Sequence, residues 1–279
     1  MMQDIRNFDR KKRSTWGQGA IYDAFGGTIS KALIDRVLDE RRKAKGKRRK
    51  TGRTVEFVSP GITYSTDFIY VSPRGRVLKT QDERARLVLG FKHQDHWPDA
   101  DAAAFQAEIF KAHGAPYFFK HDRGSEFTGA DFQWMLRQHK VISVPSPAHY
   151  PQFNGKMERG NQADRKWIAP TEANRPPLTR VIDELTQSTL DQNLARRRAP
   201  LGGRTAIEVW DHEKRVIVDR DAIYFEWDKL REEILTRKLP NFDRRLSAEM
   251  EAMRLAAMVV VSTRGLVTYR WPEVPEVST

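Results

Sequence analysis

An α/β fold, a sheet flanked by helices, is what the sequence predicts, and three observations predict it. From about residue 54 the apolar pattern takes the two-residue period of strands, in TVEFV, ITYSTDFIYV and RARLVLGFK, all rich in β-branched and aromatic residues. DADAAAFQAEIFKAHG then sets Phe105, Ile109 and Ala112 on one helical face, as a helix covering a sheet would. PYFFKH reads as a short buried strand, and a helical stretch with Phe132, Met135, Leu136 and His139 separates it from a further strand, KVISV.

Composition narrows the class. The chain has 279 residues, 39% of them hydrophobic and 31% charged, enough for a core of roughly 120 residues with modest appendages. No signal peptide and no apolar run of 18 or more residues occurs, so a cytoplasmic or nucleoid-associated location without a membrane partner is expected. Zero cysteines exclude disulfides, thiolate zinc sites and cysteine nucleophiles. The net charge is +12, of which +9 falls within residues 1–60. That asymmetry reads as a DNA-gripping arm ahead of a near-neutral body, with a basic tail lacking a partner as the alternative.

In chain order, residues 17–44 show apolar positions at Ile21, Ala24 and Phe25, a Gly26-Gly27 break, then Ile29, Leu33, Val37 and Leu38. Spacings of three and four on each side of the glycines predict two short helices, the second opened by Thr28, Ser30 and Lys31. A DNA-reading helix-turn-helix and an ordinary helical hairpin both fit the pattern. RRKAKGKRRKTGR, which contains Arg48, Arg49 and Lys50, is too polar to pack; it reads as a linker crossing a phosphate backbone or as a solvated connector.

The three strand-like runs from residue 54 predict an antiparallel meander, with Pro73-Arg74-Gly75 as a tight turn. His93, Asp95 and His96 read as a surface loop, since Trp97-Pro98 follows and no cysteine supports a metal there. The next helix opens with candidate capping acids and stops at Gly114. After HDRG, Ser125 or Thr128 is the candidate cap of a helix on which His139 reads as a core residue. PSPAHYPQFNG is a long shaped loop with Tyr150 and Gln152 as candidate DNA contacts, loop packing being the alternative. A helix starting near Asn154 carries Glu158, and Gln162 and Arg165 share its face, with Lys156 and Arg159 adding positive charge. Beyond residue 170, RPPLTRVIDELTQSTLDQNL reads as an amphipathic helix, residues 211–256 as charged helix, and VVVSTRGLVTYRW as a hairpin turning at Arg264-Gly265.

Three acids stand where strands or helices would hold them: Asp67 inside the longest predicted strand, Asp122 at a strand's C-terminal edge, and Glu158 one turn into its helix. Fifty-four residues separate the first two and 35 the last two. Two carboxylates about 4 Å apart repel by roughly 4 kcal/mol at an effective dielectric near 20. A converging set is therefore stable only if one acid takes a proton or a cation enters. Hard oxygen donors without cysteine favour Mg²⁺ or Mn²⁺. Two such ions roughly 3.5–4 Å apart stabilise both oxygens of an in-line displacement at phosphorus. Alone, Asp67 reads better as a strand acid facing solvent, and Asp82 is the rival first ligand.

YSTDFIYV, HDRGSEF and PQFNGKMERG together resemble the three carboxylate motifs of the DDE-type integrase core, the ribonuclease H-like domain of retroviral integrases and bacterial insertion-sequence transposases. The resemblance implies a mixed five-stranded sheet with flanking helices over residues 54–172. A basic helix-turn-helix-like segment and linker over 1–53 precede it, and a helical extension with a small β element over 173–279 follows. It implies Asp67, Asp122 and Glu158 as catalytic residues and ligands of two Mg²⁺ or Mn²⁺ ions, and DNA ends and target DNA as partners of a homo-oligomer. The mobile loop implied by the family contains Tyr150 and Gln152. The cysteine-free chain lacks the His/Cys zinc domain of retroviral integrases. In NLARRRAPLGGRTAIEVW, Arg198, Ala199 and Pro200 depart from the family's Asn-x-x-Arg-Pro-His run, and Ala206 replaces a proline. The implied reaction is end hydrolysis followed by strand transfer. A DNA-binding regulator derived from such an enzyme and a ribonuclease H-like nuclease are the alternatives.

Overall fold

The structure is a computed structural model and describes residues 1–12, 16–44, 54–71, 75–147, 151–172, 177–237 and 247–270. Arg48, Arg49, Lys50 and Tyr150 lie outside the described residues.

Three helices open the chain: α1 (Met2–Lys11), α2 (Gln18–Ala24) and α3 (Lys31–Ala44). They share a small core of Ile5, Trp16, Ala20, Ile21, Ile29, Ile34, Val37 and Leu38. The glycine break is real, because Gly26 and Gly27 both take left-handed φ values of 58° and 72°. Helix α1 has little apolar signal beyond Ile5 and Phe8, and the periodicity of the following stretch gave no hint of it.

Strands β1 (Thr54–Phe57), β2 (Thr63–Tyr70), β3 (Arg76–Asp82) and β4 (Val88–Gln94) follow. Next come α4 (Asp99–His113), β5 (Phe118–His121), α5 (Ser125–Thr128), α6 (Ala130–Gln138) and β6 (Ile142–Pro145). Five strands form one sheet in the order β4-β3-β2-β5-β6, antiparallel from β2 to β4 and parallel from β2 to β6. This is the mixed five-stranded sheet of the ribonuclease H-like fold.

The meander is real but uses different strands. β1 leaves this sheet, and β3 takes its place in the meander; Lys79, Thr80, Gln81 and Asp82 break the apolar alternation of β3 although all four are buried. They are tolerated because they have partners: Lys79 pairs with Asp164, and Thr80 Oγ1 donates to Gln106 Oε1 at 2.9 Å. Pro73 and Arg74 lie outside the described residues, and Gly75 ahead of β3 is obligatory, since a Cβ there would lie 2.5 Å from the Gln94 carbonyl oxygen. His93 belongs to β4, opposite Val77, rather than to a loop.

One face of the sheet, with Tyr64, Phe68 and Leu78, packs on Phe105 and Ile109 of α4 and Phe132 and Leu136 of α6. Glycines 124 and 129, not Ser125 or Thr128, cap α5 and α6, and Pro98 caps α4, whose acids Asp99 and Asp101 lie in the first turn near the positive end of the helix dipole. His139 is exposed at the C-cap of α6, edge-on to Phe110, and is not a core residue.

The opposite face receives α7 (Gly155–Glu172), entered through a 3₁₀ turn at Pro151–Asn154, and α8 (Leu178–Leu190), which ends in a π-helical turn at Asp191–Ala195. A short helix α9 (Ala206–His212) starts on a Thr205–Glu208 capping box and brings Ala206 and Val209, with Leu201, into the core. The divergent post-core segment therefore keeps a packing role.

Helices α10 (Arg220–Arg237) and α11 (Ala248–Thr263) lay Ile223, Trp227, Ala256 and Val260 over Phe118, Ile142 and Val144 of the sheet. The expected C-terminal hairpin is absent among the described residues. Val259–Val261 continue α11 because Ala252, Ala256, Ala257 and Val260 recur at helical spacing and bury against the sheet. Strand β7 (Val267–Arg270) pairs antiparallel with β1 instead, Thr54 opposite Arg270. Among the described residues no helix is long and apolar enough to cross a membrane.

Candidate active site

The parallel register of β2 and β5, Ser65 opposite Lys120, continued two residues along each strand, sets Asp67 beside Asp122. Asp67 lies on the sheet face that α7 covers. Its Oδ1 accepts from the Phe68 backbone N–H at 2.8 Å and its Oδ2 from Asn161 Nδ2 at 2.7 Å. Burial pushes its pKa up to about 6, and the charge of Asp122 adds to the rise, while the two hydrogen bonds and the Arg165 charge oppose it. Asp122 follows the last residue of β5, and its Oδ1 accepts from Gly124 N–H at 2.8 Å. Burial raises its pKa as well, the Gly124 bond lowers it, Glu126 raises it, and Arg76 and Arg123 lower it.

Helix α7 brings the third acid. Asn161 and Glu158 are three residues apart and so share a face, and Asn161 is the residue that reaches Asp67. Glu158 is half-buried one turn earlier. Among the described residues, no group of three or more His, Asp or Glu side chains is arranged to hold a metal ion. The charge of Asp122 does reach Asp67, whose pKa it helps to raise.

Of the candidate DNA contacts on α7, Gln162 and Arg165 are exposed; Arg159 is exposed too, its Nε donating to the Gly155 carbonyl at 3.1 Å. Lys156 is different. Its Nζ turns inward, 3.1 Å from Glu56 Oε2 and 3.7 Å from Glu83 Oε2, and donates to the Glu83 carbonyl. Two buried glutamates thus sequester the charge expected beside the nucleic acid, since an unpaired carboxylate there would be costly. Lys31 is exposed at the first residue of α3, its ammonium 4.8 Å from the Tyr22 ring centre. Gln152 lies in the 3₁₀ turn before α7. Asp82 is no rival ligand: it is fully buried and accepts from the Gly61, Arg84 and Ala85 N–H groups, so it fastens a turn.

Reading the sequence missed Asn161, Arg76 and Glu126. Asn161 sits three residues after Glu158, a spacing that placed it on the same face; Glu126 lies within HDRGSEF itself. Nothing local marked Arg76.

A hard divalent cation fits this donor set in part. Two apposed carboxylates, both disfavoured as anions by burial, gain from a positive charge between them. Asn161, 3% exposed, has an Oδ1 with no hydrogen-bond partner, an oxygen left available next to Asp67. Asp67 and Asp122 would hold the ion, and Glu158 is on the helix face from which it would join them.

Fold and site together define a ribonuclease H-like α/β protein with an acidic centre at the C-terminal edge of its parallel strands. The chain is similar to a chain in the structure of a simian T-cell lymphotropic virus intasome in complex with PP2A regulatory subunit B56 gamma, at 12% identity and a TM-score of 0.49, covering 73% of this chain and 72% of that one. It is also similar to the HTLV-2 integrase catalytic core domain in complex with magnesium, at 14% identity and a TM-score of 0.45 over 55% of this chain and 99% of that one. The BIV integrase catalytic core domain gives 15% identity and a TM-score of 0.45 over 54% and 93%. No protein-family model and no curated protein matches the sequence.

Proposed function

We propose that the chain is the catalytic subunit of a DNA transposase or integrase, a DDE-type polynucleotidyl transferase that hydrolyses the 3′ end of a mobile element and joins it to target DNA. The observation that carries the reading is the pairing of Asp67 with Asp122 under a helix that contacts Asp67 through Asn161 and carries Glu158 on the same face.

Asp67, Asp122 and Glu158 would hold two Mg²⁺ or Mn²⁺ ions. When bound, such ions stabilise the attacking and leaving oxygens of an in-line displacement at phosphorus. Asn161 orients Asp67 and favours its ionised form. Arg165, Arg159 and Gln162, which are exposed along α7, would grip the DNA end. Water is the nucleophile of the first step and the freed 3′ hydroxyl that of the second, so no side chain forms a covalent intermediate. Lys31 and the basic segment containing Arg48, Arg49 and Lys50 bind phosphates, and Tyr150 and Gln152 contact DNA, in a homo-oligomer assembled on DNA.

The test is a strand-transfer assay on a labelled DNA end matched to the sequence flanking the gene. Metal-dependent joining by the wild type, lost in Glu158→Gln with DNA binding retained, is expected; joining retained by that variant overturns the assignment. Cleavage without joining, on hybrid substrates, would instead mark a nuclease. A second reading, a DNA-binding regulator that keeps the fold without the reaction, draws on the finding that no group of three or more His, Asp or Glu side chains among the described residues is arranged to hold a metal ion. Metal-independent DNA binding with no turnover distinguishes it.

A further inference from the structure

The loop that carries Asp122 is fastened at two points to the sheet that carries Asp67. The first is the backbone pairing of β2 with β5. The second is an ion pair between Arg76, at the start of β3, and Glu126 in α5. Arg76 is held from several sides: its guanidinium lies 4.4 Å from the ring centre of Phe68, and its carbonyl accepts from Trp97 Nε1 at 3.0 Å. Phe68 is the residue whose backbone N–H binds Asp67 Oδ1, and its ring packs 5.4 Å from Phe127, the neighbour of Glu126.

The tie is short. A Cβ on Gly124 would lie 2.5 Å from Glu126 Oε2 and 3.1 Å from Asp122 Oδ1, so the loop closes with no room for a side chain between the two carboxylates. Glu126 turns one oxygen to Arg76 and the other toward this space. Without Arg76, a carboxylate that is 9% exposed would face Asp122 uncompensated and push the loop away.

We propose that Arg76 and Glu126 are positioning residues whose ion pair fixes the separation of Asp67 and Asp122, and with it the size of the cation the site prefers. The inference rests on the cation-holding role given above to the two aspartates. Mg²⁺ demands near-ideal octahedral geometry with oxygens at about 2.0–2.1 Å, whereas Ca²⁺ accepts flexible geometry at about 2.3–2.6 Å. A site with a loosened Asp122 loop therefore loses Mg²⁺ and keeps Ca²⁺.

The experiment is isothermal titration of the full chain with MgCl₂ and, separately, CaCl₂, for the wild type, Arg76→Met, Glu126→Ala and Arg76→Lys, well below each melting temperature. Arg76→Met and Glu126→Ala are expected to weaken Mg²⁺ binding by about tenfold while changing Ca²⁺ binding by less than about threefold, with Arg76→Lys close to wild type. Should Glu126→Ala fail to fold, the near-isosteric Glu126→Gln replaces it, with a smaller loss in the same direction. Equal loss of both ions makes the pair merely structural and overturns the proposal, as does unchanged Mg²⁺ affinity. A wild type that binds neither ion overturns the metal reading of Asp67 and Asp122 itself, and the positioning role of the Arg76–Glu126 ion pair with it.

Discussion

Asn161 Nδ2 donates to Asp67 Oδ2 at 2.7 Å, joining the helix that carries Glu158 to the strand that carries the first acid. A hydrogen bond to the charged form favours ionisation, so Asn161 opposes the burial that pushes Asp67 up to about 6. Asn161→Ala is expected to raise the pH at which Mn²⁺ half-occupies the site by about one unit, a charge-assisted bond being worth about 1.5–3 kcal/mol. Mn²⁺ titrations between pH 5.5 and 8 read this out. Superimposable curves would reduce Asn161 to a packing residue.

The raised pKa of Asp67 also has a stability consequence. A carboxyl that binds its proton more tightly when folded makes the protein less stable as pH rises from the ordinary value of 3.8 through about 6. Asp67→Asn removes that penalty. The metal-free variant is expected to melt higher than the wild type at pH 7.5, by roughly 1–3 kcal/mol in unfolding free energy, with the gain fading below about pH 4. A variant less stable than wild type at pH 7.5 would show that the acid is not penalised by its surroundings.

Lys156 and Arg165 share a helix and differ in what they face. Lys156 is enclosed by Glu56 and Glu83, so Lys156→Ala should destabilise the fold by about 3 kcal/mol and leave the salt dependence of DNA binding unchanged. Arg165 is exposed, and Arg165→Ala should lower the slope of log affinity against log salt by about 0.9 with little change in melting. Paired melts and salt titrations separate the two; a reduced slope for Lys156→Ala would mean that its ammonium leaves the glutamates for a phosphate.

Much of the fold was legible because period and punctuation agreed. The covering helix stopped at Gly114, and Asp122 fell just past its strand as expected. Strand β3 was hidden because its polar residues are buried by partners distant in sequence, Asp164 for Lys79 among them. The run Val259–Val261 misled because β-branched residues form helix when every third or fourth position is buried, as Ala252, Ala256 and Val260 are. Of the candidate site, the place of Asp67 inside its strand and of Asp122 just past the next was legible from the strand pattern. The inward turn of Lys156 was not, because it depends on Glu56 and Glu83, one or both of which could as well have faced water.

In the proposed function, Glu158 joins Asp67 and Asp122 when a cation enters. Isothermal titration of Mn²⁺ into the DNA-bound chain, wild type against Glu158→Gln, tests it most directly. Binding of two ions by the wild type, with one lost or weakened about a hundredfold in the variant, is the expected result. Identical isotherms for the two proteins would place Glu158 outside the metal site and contradict the account.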